Sequence, residues 1–152
     1  MPSFRRALWF PLDSPGKIPE RNSVKQRILK FENQIGSPHI SAAVEAGGWL
    51  YLSGQGPLDF ATRAPVRGTI EEETELTLEH VRLILERAGC TFADVVKCTC
   101  YLADLADFPG FNTTYQSTFT NAVPPARTTV QALLLSGIKV EIDAIVRLPE
   151  GR

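Results

Sequence analysis

The stretch Pro124-Pro125-Ala126-Arg127-Thr128-Thr129-Val130-Gln131, followed one turn later by Val140-Glu141-Ile142-Asp143-Ala144-Ile145-Val146, decides the fold. Both runs read as β-strands, because side chains two apart in an extended chain point the same way. In the second run Val140, Ile142, Ala144 and Val146 form an apolar face, and Glu141 and Asp143 stand on the other. In the first, Arg127, Thr129 and Gln131 share one polar face. The pattern puts a guanidinium and a carboxylate on the polar faces of two late strands, where they are expected to share a small pocket. Arginine offers a planar, permanently charged fork suited to a carboxylate, and glutamate can orient or deprotonate a water.

Upstream, residues 94–102 read as a strand with Val96, Cys98, Cys100 and Leu102 inward and Lys97, Thr99 and Tyr101 on the opposite face. Residues 39–46 and 49–54 are strand-like and meet at Gly47-Gly48, a two-residue hairpin signal. Thr69-Ile70-Glu71-Glu72 fits a capping box, and the helix it opens runs to Ala88, with Gly89 as its stop. A second helix opens at Asp107-Phe108-Pro109, and its stripe of Phe108, Phe111, Tyr115 and Phe119 reads as core. His80, on the first helix, reads as a solvated residue facing away from the pocket. The element order is βββαβαββ if a strand forms within 26–33, and ββαβαββ if it does not. Either is an α+β fold with two helices covering one face of a mixed sheet. The uncovered face then carries Lys97, Thr99, Tyr101, Arg127, Thr129, Glu141, Asp143 and Ile145, a mixed surface better suited to subunit contacts than to open water.

A chain of 152 residues is most economically one folded domain with a real core. Residues 1–34 differ in character from 35–152: Pro2, Pro11, Pro15 and Pro19 interrupt them, and Lys25, Arg27 and Lys30 make them basic. They read as an N-terminal arm on a domain spanning 35–152. The net charge of −1 gives no bulk attraction to nucleic acid or to an anionic membrane. No apolar run approaches the roughly 20 residues of a spanning helix, and Ala7-Leu8-Trp9-Phe10 is too short for a secretory signal, so the cytoplasm is the expected compartment. Three cysteines do not make a paired disulfide framework, and Cys98 and Cys100 read as buried thiols. No zinc-type spacing links them to Cys90, His39 or His80, so no metal site is expected.

The two late runs, together with Ser53-Gly54-Gln55-Gly56-Pro57-Leu58-Asp59, Val95-Val96-Lys97 and Asn112-x-x-Tyr115-x-x-x-Phe119, resemble the reactive-intermediate deaminase family, also called RidA or YjgF-like. The resemblance spans roughly residues 35 to 148. It implies a chorismate-mutase-like homotrimer with sites at subunit interfaces. It also implies hydrolysis of short-lived enamines and imines of the 2-aminoacrylate and 2-iminopropionate class to 2-keto acids and ammonia, without a cofactor. On that resemblance Arg127 matches the arginine that binds the substrate carboxylate and Glu141 the glutamate that activates water. Ser53 and Asn112 match positions lining the pocket, and Gln55 shapes the loop beside them. Thr129 stands where the family often has cysteine, which tells against a thiol-dependent variant. The family's early pocket tyrosine aligns with Ile40 or His39, leaving the physiological substrate open. A pathway-specific deaminase of an aminomuconate-type or aminoacrylate-type intermediate, and a non-enzymatic carboxylate-binding module, are the alternatives. The absence of a basic aromatic stripe argues against an RNA-acting protein.

Overall fold

A computed structural model describes residues 27–29, 40–120 and 122–150. Six strands form one sheet: β1 (Arg27–Leu29), β2 (Ala43–Ala46), β3 (Trp49–Gln55), β4 (Val95–Leu102), β5 (Ala126–Gln131) and β6 (Val140–Arg147). Their order across the sheet is β1-β2-β3-β6-β4-β5. Neighbours are antiparallel except β4 and β5, which run parallel. Helix α1 (Ile70–Arg87) links β3 to β4, and α2 (Phe108–Thr118) is the crossover between the parallel pair β4 and β5. The order matches the βββαβαββ reading, with β1 pairing along β2 inside the stretch read as an arm. His39 lies outside the described residues, and the strand expected from 39 begins at Ala43.

Local chemistry explains most boundaries. Thr69 accepts from the Glu72 N–H while the Glu72 side chain accepts from the Thr69 N–H, a reciprocal cap that starts α1. Gly89, at φ 62°, supplies the left-handed turn just past its end. The hairpin glycines Gly47 and Gly48 both have positive φ, which lets a two-residue turn join β2 to β3. Pro109 sits in the first turn of α2, where its missing N–H costs nothing.

The core lies between the sheet and the two helices. Leu50, Val140, Ile142, Val146 and Leu102 from the sheet meet Ile84, Leu85 and Phe111, all fully buried. Phe111, Tyr115 and Phe119 belong to it as expected, whereas Phe108 is 37% exposed. Cys98 and Cys100 are buried free thiols; burial pushes the Cys100 thiol up to about 12 and Cys98 in the same direction.

Three expectations from the sequence are corrected. In β4 it is Val95 that is buried and Val96 that is exposed, because a bulge lets Val95 pair with Val146 and Lys97 with Ile145. The extra residue flips Val96 outward while Cys98, Cys100 and Leu102 keep the core face. His80 is not solvated: it is 4% exposed, approaches the Leu58 carbonyl at 2.7 Å through Nε2, and stacks on Phe60 at 4.2 Å. Its Nδ1 faces the Arg63 guanidinium at 3.4 Å, so α1 pins the loop that follows β3.

The third correction bears on function. Arg127 and Thr129 do not share the uncovered sheet face with Glu141 and Asp143. In the parallel β4–β5 register Arg127 pairs with Cys98 and Thr129 with Cys100, both core-facing residues. Thr128 takes the open face instead, where the Lys97 ammonium donates to its hydroxyl at 2.6 Å.

Candidate active site

The expected site residues fall into two groups on opposite faces of the sheet. The first is built around Arg127 at the start of β5, where α2 crosses over the parallel pair. One turn into that helix, Asn112 Oδ1 accepts from Arg127 Nη2 at 2.8 Å. The guanidinium carbon lies 4.6 Å from the centre of the Tyr115 ring, 5.6 Å from Phe111 and 5.8 Å from Phe108. These distances suit cation–π attraction, with the cation lying over the negative faces of the rings. The three-and-four spacing of the aromatics, read from the sequence as core, thus also makes a cradle for a cation. Among the described residues no carboxylate forms an ion pair with Arg127. A guanidinium with five donors, one engaged by a neutral amide and its charge unneutralised, is a receptor for an anion.

Thr129 lies on the same face two residues on, and its Oγ1 is buried without a hydrogen-bond partner among the described residues. The Tyr115 hydroxyl is also buried, beside the Cys98 thiol, and burial first and that thiol second raise its ionisation well above the usual phenol range. A buried hydroxyl without a partner is costly, so a polar atom left unsatisfied beside an anion receptor marks a place for a polar ligand.

The second group surrounds Glu141 on the open face. Between Leu52, paired with Ala144, and Gln55, paired with Ile142, β3 carries an extra residue. Ser53 and Gly54 occupy that bulge, and the Glu141 side chain lies directly over Gly54, where a Cβ would collide with its carboxylate. Glycine is required there by close approach. Ser53 Oγ donates to the Ser41 carbonyl at 2.7 Å, and Gln55 Nε2 donates to the Ser53 carbonyl at 2.8 Å, so both side chains hold the bulge in shape. Glu141 is partly buried; burial pushes its carboxyl above the ordinary range, and the like charge of Asp143 adds to the effect. A carboxylate with raised basicity is suited to accept a proton from water.

The separation follows from the topology. Glu141 and Arg127 are two strand spacings apart across β4, and their partners Tyr101 and Cys98 are three residues apart along it. Their Cα atoms are therefore about 14 Å apart, with side chains on opposite faces. One chain does not bring the pair into a shared pocket, contrary to the sequence expectation. The aromatic cradle, the unpartnered Thr129 hydroxyl and the glycine beneath Glu141 are additions that tertiary structure makes to the site. Among the described residues no group of three or more His, Cys, Asp or Glu is placed to hold a metal ion.

Comparison with known proteins places this geometry. Residues 32–148 match the family described as Endoribonuclease L-PSP. Protein DfrA of Myxococcus xanthus is 46% identical over 112 residues, 73% of this chain and 85% of that protein. A 2-iminobutanoate/2-iminopropanoate deaminase of Salmonella typhimurium is 41% identical over 111 residues, covering 71% of this chain and 85% of the relative. The crystal structure of E. coli TdcF with bound serine aligns with a TM-score of 0.72 at 30% identity, over 80% of this chain and 98% of that one. With the mixed sheet, the two helices on one face and the matched motifs in order, the chain belongs to the endoribonuclease L-PSP family, the YjgF/RidA family.

Proposed function

We propose that the protein is a hydrolytic deaminase of small carboxylate-bearing imines and enamines, working as a homotrimer in which Arg127 of one subunit and Glu141 of the next form each site. The observation that carries this reading is a guanidinium without a carboxylate partner among the described residues, bracketed by Asn112 and three aromatic rings. Relatives about 40% identical bear the name 2-iminobutanoate/2-iminopropanoate deaminase, and the TdcF structure holds serine, an amino acid with an α-carboxylate.

In this scheme Arg127 grips the substrate carboxylate through its fork, with Asn112 and the aromatic cradle fixing the guanidinium. The hydroxyl of Thr129 and the bulge at Ser53 line the space beside the imine carbon. Glu141 takes a proton from water as the water oxygen bonds to the C=N carbon. The proton passes to the nitrogen, the carbinolamine collapses to a C=O, and ammonia leaves with the 2-keto acid. The substrate is already electrophilic, so orientation and one base suffice. Residues 1–34 are an arm added to the catalytic domain of 35–152, fastened by β1.

Two different surfaces of one chain, the Arg127 edge and the Glu141 face, can meet in a head-to-tail contact, which closes into a ring when the rotation between subunits permits. A cyclic homotrimer is one such ring, and the family resemblance is what selects it. Binding without catalysis is the second reading, because the Arg127 half is an anion receptor by itself. Despite the family's description, a net charge of −1 gives little support to an RNA-cleaving role.

The test is release of ammonia and keto acid from 2-iminopropionate and 2-iminobutyrate generated in situ, for wild type, Arg127→Ala and Glu141→Gln. Acceleration lost in both variants with assembly intact supports the reading. Ligand binding without acceleration in wild type moves the conclusion to a carboxylate-binding module.

A further inference from the structure

Asp143 has no part in the scheme above, yet it stands two residues from Glu141 on the same face of β6. Across the strand pair Tyr101 lies opposite Glu141 and Thr99 opposite Asp143. The Tyr101 hydroxyl reaches along the diagonal to donate to Asp143 Oδ2 at 3.1 Å. The basic group of this face, Lys97, turns the other way: its ammonium donates to Thr128 Oγ1 at 2.6 Å and to the Cys98 carbonyl at 3.4 Å. From β3, the backbone of Gly54 lies under Glu141, and Tyr51 stands further along, opposite Ile145. Arg127 of the same chain is on the other side of the sheet; in the proposed ring Arg127 of the next subunit faces Glu141, equally in every variant compared below. Within the chain, Glu141 therefore faces one negative charge held in place by a tyrosine, and no described cation pairs with either carboxylate.

We propose that Asp143, oriented by Tyr101, is a positioning residue that makes Glu141 a stronger base than a lone glutamate on this sheet face. The inference rests on Glu141 being the water-activating base. Its physical content is simple: a like charge disfavours the ionised form of its neighbour and raises that neighbour's appetite for a proton. The tyrosine keeps Asp143 from swinging into water, where the effect would be screened. The two residues have Cα atoms about 7 Å apart on one face of a strand.

The experiment reads Glu141 directly and through catalysis, in the assembled protein. The carboxyl carbon of Glu141 is titrated by NMR in wild type, Asp143→Asn, Tyr101→Phe and Asp143→Glu, and kcat/KM for 2-iminopropionate is followed against pH in each. Asp143→Asn is expected to move both the titration midpoint and the acidic limb of kcat/KM to lower pH, by about half a pH unit. Tyr101→Phe moves both the same way by less, and Asp143→Glu restores them. A Glu141 midpoint that stays in place in Asp143→Asn and Tyr101→Phe overturns the proposal whatever the rates do. If the midpoint moves but Glu141→Gln keeps full activity, the base assignment fails while the electrostatic coupling stands. A variant of Asp143 that does not fold leaves Tyr101→Phe to decide, since losing one hydroxyl at a part-exposed site spares the core.

Discussion

Mixing two inactive variants should restore activity. The β4–β5 register puts Arg127 and Glu141 of one chain on opposite faces of the sheet, so the proposed site draws one residue from each of two adjacent subunits. In a ring assembled at random from equal amounts of Arg127→Ala and Glu141→Gln chains, a junction works when the arginine donor is a Glu141→Gln chain and the glutamate donor an Arg127→Ala chain. Each condition holds at half of the junctions, so about one quarter of the wild-type sites are restored. The assay is co-refolding from denaturant, native mass spectrometry to verify mixed rings, and ammonia release from 2-iminopropionate. A second mixture, wild type with the double variant, separates the alternatives again: about one quarter of sites survive if they are shared and about one half if each chain carries its own. Verified mixed rings with no recovered activity would refute the shared site and the facial argument behind it.

Three further outcomes follow from the geometry. Gly54→Ala drives a methyl into the Glu141 carboxylate; that side chain is free to swing, so folding should lose no more than about 1 kcal/mol in urea titration, while kcat falls at least about tenfold, and an unchanged kcat counts against Glu141 as the base. Thr129→Val removes a buried hydroxyl without a partner and should raise stability by about 1 kcal/mol while raising KM; an unaltered KM takes Thr129 out of the site. His80 has its imidazole held below the usual value of 6.5, by burial first, with the Leu58 carbonyl opposing, Arg63 adding and Glu79 opposing. Because the unfolded chain binds that proton more readily, the stability contributed is fully present above the unfolded value and is lost as pH falls through it toward the folded one. Melting temperature should therefore drop as pH falls below about 6.5, and His80→Gln should flatten that drop; parallel curves for the two proteins would show that His80 is not responsible.

Much of the site was legible in the sequence as residue types. Asn112, matched by the resemblance to a pocket-lining position, does touch Arg127, and Glu141 stands where the alternation of β6 puts it, away from the core. The aromatic stripe was seen, but its second use as a guanidinium cradle was not, because that use depends on which strand α2 crosses. His80 carried no sequence signal beyond a polar letter on a helix; its burial comes from the loop of residues 57–66 folding back over α1, with Leu58 and Arg63 as its polar neighbours.

What the sequence determined by itself was local: the period-two strands, the capping box at Thr69, the glycine stop after α1, the order of elements and the motifs that carry the family. These depend on a few neighbouring residues and on backbone sterics, so one chain read in a line contains them. Only the tertiary structure decided which way each strand's polar face points. Alternation says that Arg127 and Thr129 share a face, and equally that Glu141 and Asp143 do, but the common reference is the register between strands. Pairing β5 in parallel with β4, so that Arg127 falls beside Cys98, turned the guanidinium toward α2 and left the carboxylate on the other side of the sheet. A shift of one residue in that pairing reverses every side chain, as the bulge at Val96 does within β4.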